Sequence, residues 1–215
     1  MQLLLVLLIV YLSFMYKINQ AIVFKIFAGK QIKLAFVKRN FYLLWFFIVI
    51  VLAILTKTIN SLLVVPNQIL PLTEFLLFIL LLIPFMLNSG YTPHRSLAGI
   101  ISFCIIFPIG EELIFRGMIP IIFSRIMNGK SLEIPFPILK EVSLAVFVSS
   151  LLFGFMHLQY FDFRINKNTL VKVLYAFIFG IFIGNLAEVS GSLIYAFIFH
   201  IIANCGATYI YFRRN

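Results

Sequence analysis

Apolar residues in this chain come in long unbroken runs, cut only by short polar stretches, and such runs have few ways to fold. A helix on a soluble protein shows one apolar stripe and one polar face. These runs are apolar all round, as in a segment surrounded by lipid or by other helices. A membrane span needs about 20 mostly apolar residues. The chain has 215 residues, 63% apolar and 11% charged, with mean hydropathy +1.10. That is enough for about 7–8 spans and leaves little for an extramembrane domain. The expected fold is all-α, a polytopic transmembrane helical bundle with any site held inside it.

The runs fall at residues 1–16, 41–56, 70–87, 97–123, 143–159, 170–187 and 191–212. The first has no basic leading residues and no small-residue cleavage site before Lys17, so it is read as a retained span and not a signal peptide. Between the first two runs lie Lys17, Lys25, Lys30, Lys33, Lys38 and Arg39, interleaved with IVFKIF and IKLAFV. This linker is expected to be an amphipathic helix in the interface. Together, residues 1–96 form an N-terminal set of spans with that linker, and residues 97–215 form the part that carries chemistry.

Basic residues also set orientation. With the N-terminus outside, the inner loops hold the first linker, Arg95, Arg164, Lys167, Lys172, Arg213 and Arg214. The outer loops hold only Lys57, Arg125, Lys130 and Lys140. This asymmetry predicts a multi-pass protein of the cell membrane with its N-terminus outside and C-terminus cytoplasmic. The net charge of +10 is accounted for by lipid-facing flanks, with the bilayer as partner, and nucleic acid is not expected. Cys104 and Cys205 lie in apolar runs without metal-pair spacing and carry no functional signal.

Polar chemistry inside the spans is the informative part. The fourth run, IISFCIIFPIGEELIFRGMIPIIF, contains Glu111, Glu112 and Arg116. Each ionised group at mid-membrane costs about 3 kcal/mol before compensation. Glu112 and Arg116 are four apart, acid first, and can pair along a helix. Glu111 points about 100° away and faces something else. His157 follows Phe153 by one turn in SSLLFGFMHLQ, and His200 precedes Asn204 by one turn in SLIYAFIFHIIANC. His94 sits in the loop SGYTPHRS and reads as solvated.

Singly, each feature has a structural reading. The Glu–Arg pair is a helical tie, a lone His donates to a neighbouring carbonyl, and Asn204 is interhelical glue. Gly180 and Gly184 in FGIFIG form a close-packing face. Together, one unpaired carboxylate, two imidazoles and a carboxamide on three spans form a candidate site. Carboxylate and imidazole can take a proton from water, and imidazole and carboxamide can donate to an oxyanion. With no Ser or Cys in a nucleophile motif, activated water is the economical attacking species.

Glu111, Glu112 and Arg116 match EExxxR, Phe153 and His157 match FxxxH, and His200 and Asn204 match HxxxN. Three such motifs in this order, each in an apolar helix, resemble the CPBP family of intramembrane proteases. That family comprises the type II CAAX prenyl endopeptidases and the bacteriocin-processing or Abi proteins. The resemblance covers about residues 97–212 and implies a glutamate-dependent intramembrane endopeptidase. It implies Glu111 as the base that activates water, His157 as a second group on that water, and His200 with Asn204 as oxyanion donors. It implies Glu112, Arg116 and Phe153 as supporting residues. The implied substrate is a membrane-associated peptide or protein, with bacteriocin or signal-peptide processing, or self-immunity, in a bacterium as its setting.

Cofactor-free chemistry is expected. Two imidazoles and a carboxylate could instead hold zinc, but HExxH is absent and Asn204 would be an unusual ligand. Other readings are an immunity protein that binds and sequesters, and a small transporter. Helix depth raises one tension. His157 lies near the inner end of its run, while Glu111 and His200 lie near mid-membrane, an offset of about 15 Å at 1.5 Å per residue. Either the fifth helix continues beyond Gln159, or the fourth and seventh begin deeper than their runs suggest. A cavity open to the cytoplasmic side would reconcile the depths.

Overall fold

The structure is a computed structural model that describes residues 2–28, 31–62, 64–88 and 95–214, with 31–35, 61–62, 74 and 88 described by backbone alone. His94 lies outside the described residues. Among the described residues, seven helices of more than one turn make the fold: α1 (Gln2–Ile26), α2 (Gln31–Leu55), α3 (Leu72–Asn88), α4 (Leu97–Ile126), α5 (Leu144–Phe161), α6 (Lys167–Ser190) and α7 (Ile194–Arg214). Six of them are long and apolar enough to cross a membrane; the apolar stretch of α3, Phe75–Leu87, is shorter. The protein is an all-α polytopic bundle.

α4 occupies the centre and touches α1, α2, α5 and α7. Every residue from 111 to 119 on it is buried. The outer faces of α1, α2 and α3 expose Leu3, Leu4, Phe47, Leu55 and Leu80, the surface expected of helices against lipid. Those helices are the periphery, and the charged middle of α4 is kept from lipid by its neighbours.

α4 is not regular. Its turns Ser102–Ile106 and Leu113–Met118 are π-helical, with Phe107 N–H donating to Ser102 and Ile119 N–H to Ile114. Each π turn ends two residues before a proline, Pro108 or Pro120. A proline lacks the N–H and crowds the carbonyl four residues back, and widening the helix relieves both problems. The helix runs on through Pro108 and Gly110. Gly110 is required by Trp45, because an added Cβ would lie 2.5 Å from the Trp45 ring.

α5 and α6 form the most extensive helix pair. A Cβ on Gly154 would meet the Val173 carbonyl at 3.0 Å, one on Gly180 the Ser150 Cβ at 3.1 Å, and one on Gly184 the Val146 Cγ1 at 3.0 Å. Small residues let the two backbones approach, which is the close-packing role expected of Gly180 and Gly184. Ser143 caps α5, its Oγ accepting from Val146 N–H at 3.2 Å and donating to Glu188 at 2.6 Å. The fit fixes the rotation of α5, hence the direction of Phe153 and His157.

Two differences from the sequence reading bear on the site. The basic stretch around Lys17 to Arg39 is not a separate interfacial helix. α1 continues through Lys17 to Ile26, and α2 already begins at Gln31. Secondly, α5 continues past Gln159 as a 3₁₀ turn, His157–Phe161, before left-handed Asp162 and Phe163 end it. This places His157 at the depth of the other polar residues. A short antiparallel hairpin, β1 (Glu133–Phe136) and β2 (Lys140–Ser143), fills the α4–α5 connection, which the sequence had shown only as a loop.

Candidate active site

The basic ends of the helices meet at one end of the bundle. Lys17 on α1 pairs with Asp162 after α5 at 3.6 Å, and Arg95 before α4 lies over the Phe212 ring of α7. A cavity of about 300 Å³ opens there, walled partly by Tyr16, Lys17 and Gln20 of α1. Glu111, His157, His200 and Asn204 all line it. Glu112, Arg116 and Phe153 lie behind that wall and do not line it.

Glu111 is held from α5. The Tyr160 hydroxyl donates to its Oε1 at 2.6 Å, and its Oε2 lies 3.7 Å from His200 Nε2. Glu112 turns away from the cavity and is fully buried. Its Oε1 accepts from Arg116 Nη1 at 3.3 Å, and its Oε2 lies 3.2 Å from Arg116 Nε, close but poorly aligned. The helical pairing of Glu112 with Arg116 is therefore present. Glu112 has a second partner that spacing could not show: His200 Nδ1, 2.6 Å away and 88 residues along the chain.

Phe153 joins these groups. Its ring lies under the Arg116 guanidinium at 4.2 Å and meets both imidazoles edge-on, His157 at 4.6 Å and His200 at 5.8 Å between centroids. A cation over an aromatic face in a dry site is worth about 2 kcal/mol. The same ring fixes the rotamers of two histidines on different helices. His157 Nδ1 bonds the Phe153 carbonyl at 2.7 Å. A carbonyl only accepts, so Nδ1 carries that proton, and in the neutral ring Nε2 is the basic nitrogen.

Asn204 is placed by the irregularity of α4. In the π register Pro108 would donate to the Phe103 carbonyl, and it has no N–H to give. The Asn204 amide donates there instead, at 2.8 Å. The glue reading of Asn204 and its place in the cavity thus both hold, since one amide hydrogen ties α7 to α4 and Nδ2 bears a second.

Tyr160, Tyr16, Phe85, Phe103 and Phe107 complete the surroundings and were not singled out from the sequence. Tyr160 follows His157 by three residues, one turn of the 3₁₀ helix, and that spacing was the only available signal. Among the described residues, no group of three or more His, Cys, Asp or Glu side chains is disposed to hold a metal ion.

The profile of the type II CAAX prenyl endopeptidase Rce1-like family matches residues 93–206, which contain all three motifs. Comparison with curated proteins and with solved structures returns no match.

Proposed function

The chain belongs to the type II CAAX prenyl endopeptidase Rce1-like family, and from that premise we propose that it is an intramembrane endopeptidase that hydrolyses a peptide bond with water activated by Glu111. The observation that carries this reading is the convergence of Glu111, His157, His200 and Asn204 on one cavity, from three helices. A carboxylate with one oxygen anchored by Tyr160 and the other turned to the cavity is a positioned general base.

In the reaction, Glu111 takes a proton from water as the water oxygen attacks the scissile carbonyl. The basic Nε2 of His157 orients the same water. His200 and Asn204 donate to the oxyanion, a contribution of about 3–4 kcal/mol per donor in comparable sites. With Nδ1–H given to Glu112, His200 donates from Nε2 when its ring carries a second proton. That charge balances the set of Glu111, Glu112 and Arg116, which otherwise has one negative charge in excess. As the carbon–nitrogen bond breaks, Glu111 returns its proton to the leaving amine. Glu112 orients His200, Arg116 anchors Glu112, and Phe153 shapes the wall behind both histidines. No cofactor is needed in this scheme.

The cavity opens at the basic end of the bundle, which the positive-inside bias puts on the cytoplasmic side of the cell membrane. A peptide or protein tail reaching the membrane surface from that side is the substrate class this geometry suits. Processing of a bacteriocin or signalling peptide, or self-immunity against one, fits such a substrate in a bacterium. The test is to express wild type and Glu111→Ala beside a candidate precursor and follow both precursor size and protection. Loss of processing and protection in Glu111→Ala supports the peptidase; protection that survives Glu111→Ala identifies a sequestering protein instead.

A further inference from the structure

A second and larger cavity, about 780 Å³, adjoins the catalytic one. Tyr16, Phe103 and Phe107 stand in the walls of both. Tyr16 is the divider: its ring meets Phe107 at 5.4 Å and is backed by Phe41 at 5.2 Å and Trp45 at 5.7 Å, all edge-on. Beyond that divider the wall changes character. Lys38, Arg39 and Asn40 of α2 line it, with no acidic residue. Among the described residues neither Lys38 nor Arg39 forms an ion pair, and the Lys38 ammonium rests over the Phe24 ring.

Two exposed cations at a membrane interface ordinarily serve lipid headgroups. Here they face a concave space that shares the wall of Tyr16, Phe103 and Phe107 with the cavity that holds Glu111. A group held there is well placed to belong to the same chain as the bond being cut. Resting on the peptidase reading of Glu111, we propose that this outer cavity is a substrate subsite that binds a carboxylate of the peptide, from an acidic side chain or a free C-terminus. Tyr16 separates the part of the substrate held by charge from the part being cleaved. Tyr16, Lys38 and Arg39 all lie outside the segment matched by the family profile, residues 93–206, so this selectivity belongs to the N-terminal helices of this chain.

The test uses the full chain carrying Glu111→Gln, in phosphatidylcholine liposomes, with a fluorescent lipid-anchored peptide in three forms. One has glutamates and a free C-terminus, one has glutamine for each glutamate, and one has an amidated C-terminus. Two partly exposed ion pairs predict about tenfold weaker binding when the recognised carboxylate is removed. Lys38→Gln with Arg39→Gln should abolish that difference; both residues are exposed, so the fold is not at stake. The glutamine and amidated forms report which carboxylate is read. Equal affinity for all three peptides overturns the proposal, as does a preference that persists in the double variant. So does a double variant whose only defect is on phosphatidylserine vesicles, which marks a lipid site. If the peptides bind with the expected preference but wild type cleaves none of them, the Glu111 reading fails and the subsite stands.

Discussion

His200 donates from Nδ1 to Glu112 across 2.6 Å, with both side chains buried between the helices. The two acids of the EE pair are thereby divided between tasks. Glu112 faces inward and holds an imidazole and a guanidinium, while Glu111 faces the cavity. Exchanging either for its amide therefore has different consequences.

Glu112→Gln leaves an acceptor for His200 but removes the charge that Arg116 needs. An uncompensated buried cation destabilises by about 3–5 kcal/mol. Thermal unfolding in detergent should show a large loss for Glu112→Gln and a small one for Glu111→Gln. Similar unfolding temperatures for the two would contradict the division.

Tyr160→Phe removes one hydrogen bond to a charged group, worth about 1.5–3 kcal/mol. The expected loss is about 10- to 100-fold in kcat with KM little changed, because the hydroxyl aims Glu111 while the ring, retained in Phe, keeps its place in the cavity wall. Steady-state kinetics on a cleavable peptide reads this split. A KM effect alone would make Tyr160 a substrate contact.

Asn204→Asp keeps the size of the side chain but, when ionised, has no N–H for the Phe103 carbonyl or an oxyanion. It should lower kcat by about 10²–10³. Asn204→Gln, with its donor one methylene out of place, should recover little of this. Full activity in Asn204→Asp would remove the residue from the oxyanion role.

Gly180→Ala tests how the site is braced. The added Cβ would lie 3.0 Å from Arg116 Nη2 and 3.1 Å from Ser150 Cβ. Overpacking of this kind costs about 1–3 kcal/mol, and the displaced guanidinium should disturb Glu112 as well. Lower stability together with lower activity is expected. A variant as stable as wild type would show that α5 and α6 have slack at this point.

The motif residues were legible because lipid makes any charge conspicuous: Glu111, Glu112, Arg116, His157 and His200 stand out in runs that otherwise hold none. Their partners were not. Tyr160, Tyr16 and Phe103 are ordinary aromatic residues in a chain already 17% aromatic, and nothing local distinguishes them. The tie from Asn204 to the Phe103 carbonyl depends on a π turn before Pro108, a backbone irregularity that apolar periodicity does not encode. The apparent depth conflict of His157 arose because a 3₁₀ turn carries α5 through polar Gln159, where hydropathy ends the span. The partner of Glu112 that spacing did reveal was Arg116, four residues on. His200 is far away in sequence and could be found only in three dimensions.

The most direct test of the account is the initial rate at which the purified protein in liposomes cleaves a lipid-anchored peptide. Wild type and Glu111→Gln are compared, each with a strong chelator and after zinc is restored. The account predicts a wild-type rate unaffected by chelator and a Glu111→Gln rate lower by at least about 10². A Glu111→Gln rate equal to wild type would contradict it, as would activity lost to chelator and regained with zinc, which would make the histidines ligands.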